Sequence, residues 1–439
     1  MHIPDGYLSP VFSVGSGVVT VPCWVVGARK VNAVLNNRTL PLLAIFSAFS
    51  FTLMLFNVPV PGGTTAHAVG GTLIAIVLGP WAAVIGISTA LIIQALFFGD
   101  GGILTIFTNC MNLAIILPFA GYYTYRLVAG HSPILSTRRI WAAAIGGYIG
   151  ITVAALAVGI ELGLQPLLFN ANGHPLYSPY PLSVSVPAML IAHVFGASLV
   201  EGLITALVFA YLQKSQPDYL TSLRTVVAGP DVPVGEPVRR PLWQIYVLGI
   251  VAMVVVYFII GLITGGGNIA HLYGADWTQV SWSDVGSMLL ATAIIAVILI
   301  PLAYFLLPRR IKFVGTLFVT IAILVSLGLI APGFAFGEGA PSDVQAAFGY
   351  IPQGLQQISG IFSAPLDSYN INFPFFSDPN APLWHAALGY MISCVLGILL
   401  IGAATYGLGY LFSRRGRGPK VSADPDSESP TQVEGSASN

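Results

Sequence analysis

Met1 and His2 carry three nitrogens able to close chelate rings on one metal ion: the α-amine, the His2 backbone amide once deprotonated, and the His2 imidazole. These donors are all nitrogen and nearly coplanar, a set that suits Ni(II) or Cu(II), with Co(II) also open, better than zinc or calcium. The bulk of His2 disfavours removal of Met1, and no basic segment leads into an apolar core of signal-peptide type, so the amine is expected to stay in place. Ile3-Pro4-Asp5-Gly6 reads as a tight turn that folds the terminus back on the protein. A chance histidine behind a start codon would look the same, so the reading needs a fourth ligand.

The elements that must position these residues are membrane helices. The chain has 439 residues, 55% hydrophobic and 8% charged, with a mean hydropathy of +0.82, which excludes a soluble enzyme. No ten-residue apolar/polar alternation of an outer-membrane barrel is found, so the expected fold class is all-α polytopic. Formal charge is zero and no basic patch points to nucleic acid. Cys23, Cys110 and Cys394 lie apart within apolar runs, in no metal or redox spacing, and read as packing residues.

Apolar runs of spanning length, roughly 17 to 25 residues, fall near 11–28, 40–57, 103–125, 141–163, 186–213, 243–264, 285–307, 313–331 and 384–412. The stretch from Ala66 to Phe98 is too long for one span and is broken by Gly79-Pro80. Read as two short helices, with the amino terminus outside, it places all 17 Lys and Arg on the cytoplasmic side, where the positive-inside rule wants them. A single span would flip every basic group after the first. About eleven helices are therefore expected, with the N-terminus outside and the C-terminus cytoplasmic. The expected domains are 1–213 with about seven helices, a cytoplasmic linker 214–240, a second membrane module 241–412 with a long outer loop 332–382, and a disordered cytoplasmic tail 413–439.

On the outer side, Asn57-Val58-Pro59-Val60-Pro61-Gly62-Gly63-Thr64-Thr65-Ala66-His67 cannot be regular helix. Such a bent segment is tolerable at membrane depth only under cover of protein or water, and it can carry His67 to the amino terminus on the same face. A capping histidine is the bland alternative. Asp5, Thr65, Asp100, Asn109 and Asn112 are candidates to orient the turn or His67, against a reading of plain interhelical hydrogen bonding. His193 and Glu201, eight residues apart on one helix, are assigned a coupling or structural role. Glu161, with His174 in the following loop, reads as surface or interface, and His271 and His385 as surface histidines.

Met1-His2-Ile3-Pro4-Asp5-Gly6-Tyr7-Leu8-Ser9-Pro10, the segment from Pro59 to Gly71 and Phe97-Phe98-Gly99-Asp100-Gly101-Gly102 together resemble the CbiM/NikM family. That family comprises the substrate-capture components of energy-coupling factor transporters for nickel and cobalt. The resemblance covers roughly residues 1 to 213. It implies a square-planar site for transported nickel(II), or cobalt(II), made by the Met1 amine, the His2 amide and imidazole, and the His67 imidazole. The cobalt branch more usually opens Met-His-Ile-Met-Glu-Gly, so Pro4-Asp5 favours nickel. The implied partners are a transmembrane coupling subunit and a pair of cytoplasmic ATPases. In the outer loop, Phe348 to Leu355 and Ser363 to Tyr369 resemble the family's small accessory module, known by a Pro-Asp-Gly-Leu-Glu motif. Pro352-Gln353-Gly354-Leu355-Gln356 lacks both acids, which puts direct metal contact by the loop in doubt. The fused module would then replace a separate accessory subunit.

The chain contains no Gly-x-x-x-x-Gly-Lys-Ser/Thr phosphate loop, so it reads as a transporter subunit rather than an enzyme. Two other classes are weighed. An intramembrane metalloenzyme lacks a His-Glu-x-x-His helix. A proton-coupled secondary transporter or channel would use His193 and Glu201.

Overall fold

The computed structural model describes residues 1–32, 39–60, 64–236, 282–308, 312–330, 334–378 and 381–415. Among them, seven helices are long and apolar enough to cross a membrane: α1 (Pro10–Val31), α4 (Pro80–Phe98), α5 (Ile106–Ala129), α6 (Thr137–Leu168), α7 (Leu182–Ser215), α8 (Ser283–Leu306) and α10 (Leu383–Phe412). Two shorter apolar helices, α2 (Thr39–Leu55) and α9 (Phe318–Leu329), accompany them. The protein is a multi-pass membrane protein. The span expected near 243–264, His271 and nearly all of the 413–439 tail lie outside the described residues.

The stretch from Ala66 to Phe98 is broken where its sequence says. Gly79 adopts φ 92°, a conformation that favours glycine. Pro80, with φ preset and no N–H to satisfy, opens α4. The preceding helix α3 (Gly71–Leu78) has only 8 residues, all buried, or about 12 Å of a hydrocarbon core about 30 Å thick. The Pro- and Gly-rich segment before it is a small hairpin, β1 (Val58–Val60) against antiparallel β2 (Thr64–Ala66). Its ladder satisfies backbone groups that a merely bent segment would leave open.

Small residues bring the central helices together. A Cβ on Gly146 would lie 2.8 Å from the Gly121 carbonyl oxygen, and one on Gly150 2.8 Å from the Leu117 carbonyl. With little hydrophobic drive between helices in lipid, such close backbone approach is what holds them. Among the described residues, three π-helical turns interrupt the helices, at Gln94–Phe98, Cys110–Ile116 and His193–Ala197. A wider turn of this kind changes which face later side chains present.

Candidate metal centre

The amino-terminal turn is locked into the fold by its backbone. Ile3 N–H donates to Asn109 Oδ1 (2.9 Å), and Asn109 Nδ2 donates back to the Ile3 carbonyl (3.0 Å). Thr105 Oγ1 and the Gly102 N–H donate to the same carbonyl. The Asp5 carboxylate accepts the N–H groups of Ile103, Leu104 and Thr105 at 2.9 to 3.2 Å, just ahead of α5, where orphan donors and the helix dipole favour an anion. Gly6 turns the chain at φ 97°. Met1, His2 and Ile3 are all buried.

This anchoring places the Met1 amine 3.5 Å from His67 Nε2 and stacks the His2 and His67 rings, centroids 4.9 Å apart and planes 27° from parallel. Burial first, and the amine second, push the His2 imidazole down to about 3. The same causes, in the same order, hold His67 well below the ordinary imidazole value. Both rings are therefore neutral at physiological pH, the form that offers a lone pair to a metal. His67 Nδ1 lies 3.2 Å from the Ala68 carbonyl; a proton on Nδ1 would leave Nε2, on the amine side, free to ligate.

Glu338, in the outer loop, is the residue sequence reasoning missed. Its Oε1 accepts from the Met1 amine at 2.8 Å and from the His2 N–H at 2.9 Å. The two backbone nitrogens proposed as ligands therefore aim at one point, and a negatively charged oxygen stands there. An isolated glutamate more than three hundred positions away, in a Gly/Ala-rich loop and outside the Pro352 to Gln356 motif, carried no sequence signal. That motif packs beside the turn rather than on its two nitrogens: Gly354 N–H donates to the Leu176 carbonyl, and Leu355 packs on Gly6.

The other predicted residues divide. Asp100 Oδ1 lies 3.2 Å from His2 Nδ1, and its Oδ2 accepts from Gln94 and from the Tyr369 hydroxyl, so the turn that carries Asp100 packs on the amino terminus. Thr65 borders the same cavity as His2 and His67. Asn109 holds the turn as above. Asn112 does not: its Nδ2 donates to Glu161 at 2.6 Å, because the π-helical turn starting at Cys110 rotates it off the face of Asn109. Glu161, expected at a surface or interface, is buried with it, whereas His174 does sit at an interface, its ring 5.0 Å from that of Tyr350.

Glu201 has a structural job the sequence could not specify. Its Oε2 accepts the N–H groups of Val69 and Gly70, both at 2.7 Å, at the start of α3 and two residues beyond His67. Glu201 thus fixes the backbone that presents His67. His193 bonds the Met189 carbonyl through Nδ1, and Glu201 is spent on the loop rather than on His193. Among the described residues, no three His, Cys, Asp or Glu side chains cluster as a metal site; a centre built half from backbone nitrogens does not depend on one.

The fold is a multi-pass helical bundle that buries its own amino terminus against a histidine of a non-helical segment. Residues 2–219 match the family model CbiM, cobalt uptake substrate-specific transmembrane region. A fused nickel transport protein of Rhodobacter capsulatus is 38% identical over 419 residues, covering 92% of this chain and 95% of that one. A probable fused nickel transport protein of Lactiplantibacillus plantarum is 48% identical over 224 residues, covering 50% of this chain and 66% of that one. A crystal structure of a truncated transition metal transporter, 55% identical, covers 48% of this chain and 98% of that chain with a TM-score of 0.45. The chain belongs to the CbiM/NikM family, with a second module fused behind the family region.

Proposed function

We propose that this chain is the substrate-binding membrane component of an ATP-driven energy-coupling factor importer for nickel(II). In this reading residues 1–213 bind the ion, 214–240 link, and 241–412 form an accessory module in place of a separate small subunit. A transmembrane coupling subunit and a pair of cytoplasmic ATPases supply the energy. The name of the Rhodobacter capsulatus relative, similar over nearly the whole of both chains, and the Pro4-Asp5 opening favour nickel over cobalt, which the family model's description keeps as the alternative.

The observation that carries the reading is the convergence of the Met1 amine and His2 amide on one point, with His67 Nε2 3.5 Å from the amine. For metal–nitrogen bonds of about 2 Å, neighbouring corners of a square plane lie about 2.8 Å apart. His67 has to close by several tenths of an ångström to complete the plane. Only Nδ1 of His2 can close a ring with its own amide, so binding exchanges the Asp100 contact for the ion. Four nitrogens in a plane suit low-spin nickel(II) and offer nothing to oxygen-seeking Mg²⁺ or Ca²⁺. Cu(II) should bind more tightly still on the Irving–Williams order, so selection against it rests on availability or cavity rigidity.

The test is nickel titration of the purified full chain, followed by calorimetry and by the visible absorption of square-planar nickel. Acetylation of the Met1 amine or His67→Ala should abolish both signals. Tight binding that survives either change refutes the reading. Uptake by the chain alone in sealed vesicles, driven by a proton gradient, would favour a secondary transporter instead.

A further inference from the structure

Glu338 stands between two cavities. One, of about 420 Å³, is lined by His2, His67, Asp100 and Glu338 among others. The second, of about 410 Å³, is lined by Asp5, Glu338 and Asp367, with no Lys, Arg or His on its wall, and is bordered by the exposed residues Gly360 and Phe362. Carboxylates lining a low-dielectric cleft raise the local concentration of cations. The one side chain common to both cavities that carries charge is the one whose oxygen touches the Met1 and His2 nitrogens.

We propose that Glu338 is the first-contact ligand for the arriving divalent cation, binding it through carboxylate oxygen on the cavity side bordered by Gly360 and delivering it to the nitrogens of Met1, His2 and His67. This rests on the nitrogen-site reading above. The physical argument is one of reach and exchange. Glu338 Oε1 lies 2.8 and 2.9 Å from two of the final donors, so an ion held on the same carboxylate is already only a few ångströms from both. A hard oxygen ligand exchanges readily with a partly hydrated ion, whereas a deprotonated amide forms its bond slowly because a proton must leave first. As the Met1 and His2 bonds to the ion form, two N–H···O bonds to Glu338 are lost and one proton each from the amine and the amide goes to solvent. The carboxylate is then left without its two donors and free to turn back toward the second cavity. The fused module therefore contributes chemistry to binding through an acid outside the Pro352 to Gln356 motif, whose missing acids had argued against any such contact.

The experiment is stopped-flow mixing of Ni²⁺ alone with the purified full chain, followed at the square-planar nickel band. Glu338→Gln should slow association at least tenfold while the band keeps its position, because the nitrogen plane is intact. Asp343→Asn, a change in the same loop to a carboxylate that caps Ala340 N–H and lies on neither cavity wall, should stay within twofold of the parent, which separates Glu338 chemistry from loosening of the loop. Glu338→Ala leaves room for a small anion, and added acetate should speed its association several-fold where chloride at equal ionic strength does not. A Glu338→Gln rate within twofold of the parent or faster, or a Glu338→Ala protein indifferent to acetate, overturns the proposal. A parent protein that binds nickel without the square-planar band fails the underlying reading instead, so the two failures are told apart.

Discussion

Two helices, one from each half of this chain, bury themselves to opposite degrees. In α4, 78% of the apolar window is buried within the protein, against 6% in α8. The helices around α4 pack through glycines and fold the amino terminus into the interior; α8 exposes Val297, Phe305 and Leu306, a surface suited to lipid. Where the halves meet, loops of the second reach the amino terminus, and Leu329 of α9 and Tyr390 of α10 line the cavity beside His2 and His67. Glu338 reaches Met1 and His2, Tyr369 bonds Asp100, and the Tyr7 hydroxyl donates to the Gly339 carbonyl. The contrast teaches that the amino terminus is held mainly by the first half and is reached from the second by Glu338.

The comparison can be broken or sharpened by experiment. The largest effect belongs to the ligands: His67→Ala should weaken nickel binding by about 4 kcal/mol or more, roughly a thousandfold in Kd, measured by calorimetry. Next comes the anchor. Glu201→Ala strands the Val69 and Gly70 N–H groups and frees the His67 segment, so nickel affinity should fall about 10- to 100-fold; an unchanged Kd would show that His67 is held by other means.

Acid acts on the same half. The folded His2 and His67 imidazoles are held down, His2 to about 3, while an unfolded imidazole titrates near 6.5. Below about pH 6.5 the unfolded segment therefore binds more protons than the folded one, and docking of the amino-terminal turn loses stability as pH falls, by up to about 1.4 kcal/mol per unit for each ring. Hydrogen exchange at the Ile3 amide should accelerate between pH 7 and 5 beyond its intrinsic pH trend, while nuclear magnetic resonance finds the His2 ring still neutral at pH 5. An imidazolium signal from folded His2 at that pH would contradict the assigned burial. The smallest effect is expected in the second half: Phe305→Leu on exposed α8 should change thermal stability by no more than about 0.5 kcal/mol, and a larger loss would mean that α8 packs against a partner.

Several features were legible because they depend on local chemistry. The break at Gly79-Pro80 followed from two backbones that cannot continue a helix, and the donors of Met1 and His2 followed from their covalent structure. His67 was legible as an expensive residue in a non-helical segment. Asn109 and Asn112 were indistinguishable in sequence, three residues apart on one expected helix; a π-helical turn between them sends one to Ile3 and the other to Glu161.

The sequence by itself determined a polytopic helical protein and an amino terminus chemically equipped for a square-planar ion, because composition, proline, glycine and covalent donor geometry act within a few residues. Tertiary structure alone decided that Glu201 braces the His67 segment and that Glu338 sits on the backbone nitrogens of Met1 and His2. Those contacts join positions more than a hundred residues apart, and which acid reaches a given N–H is settled by how helices and loops pack, a non-local outcome that no local pattern encodes.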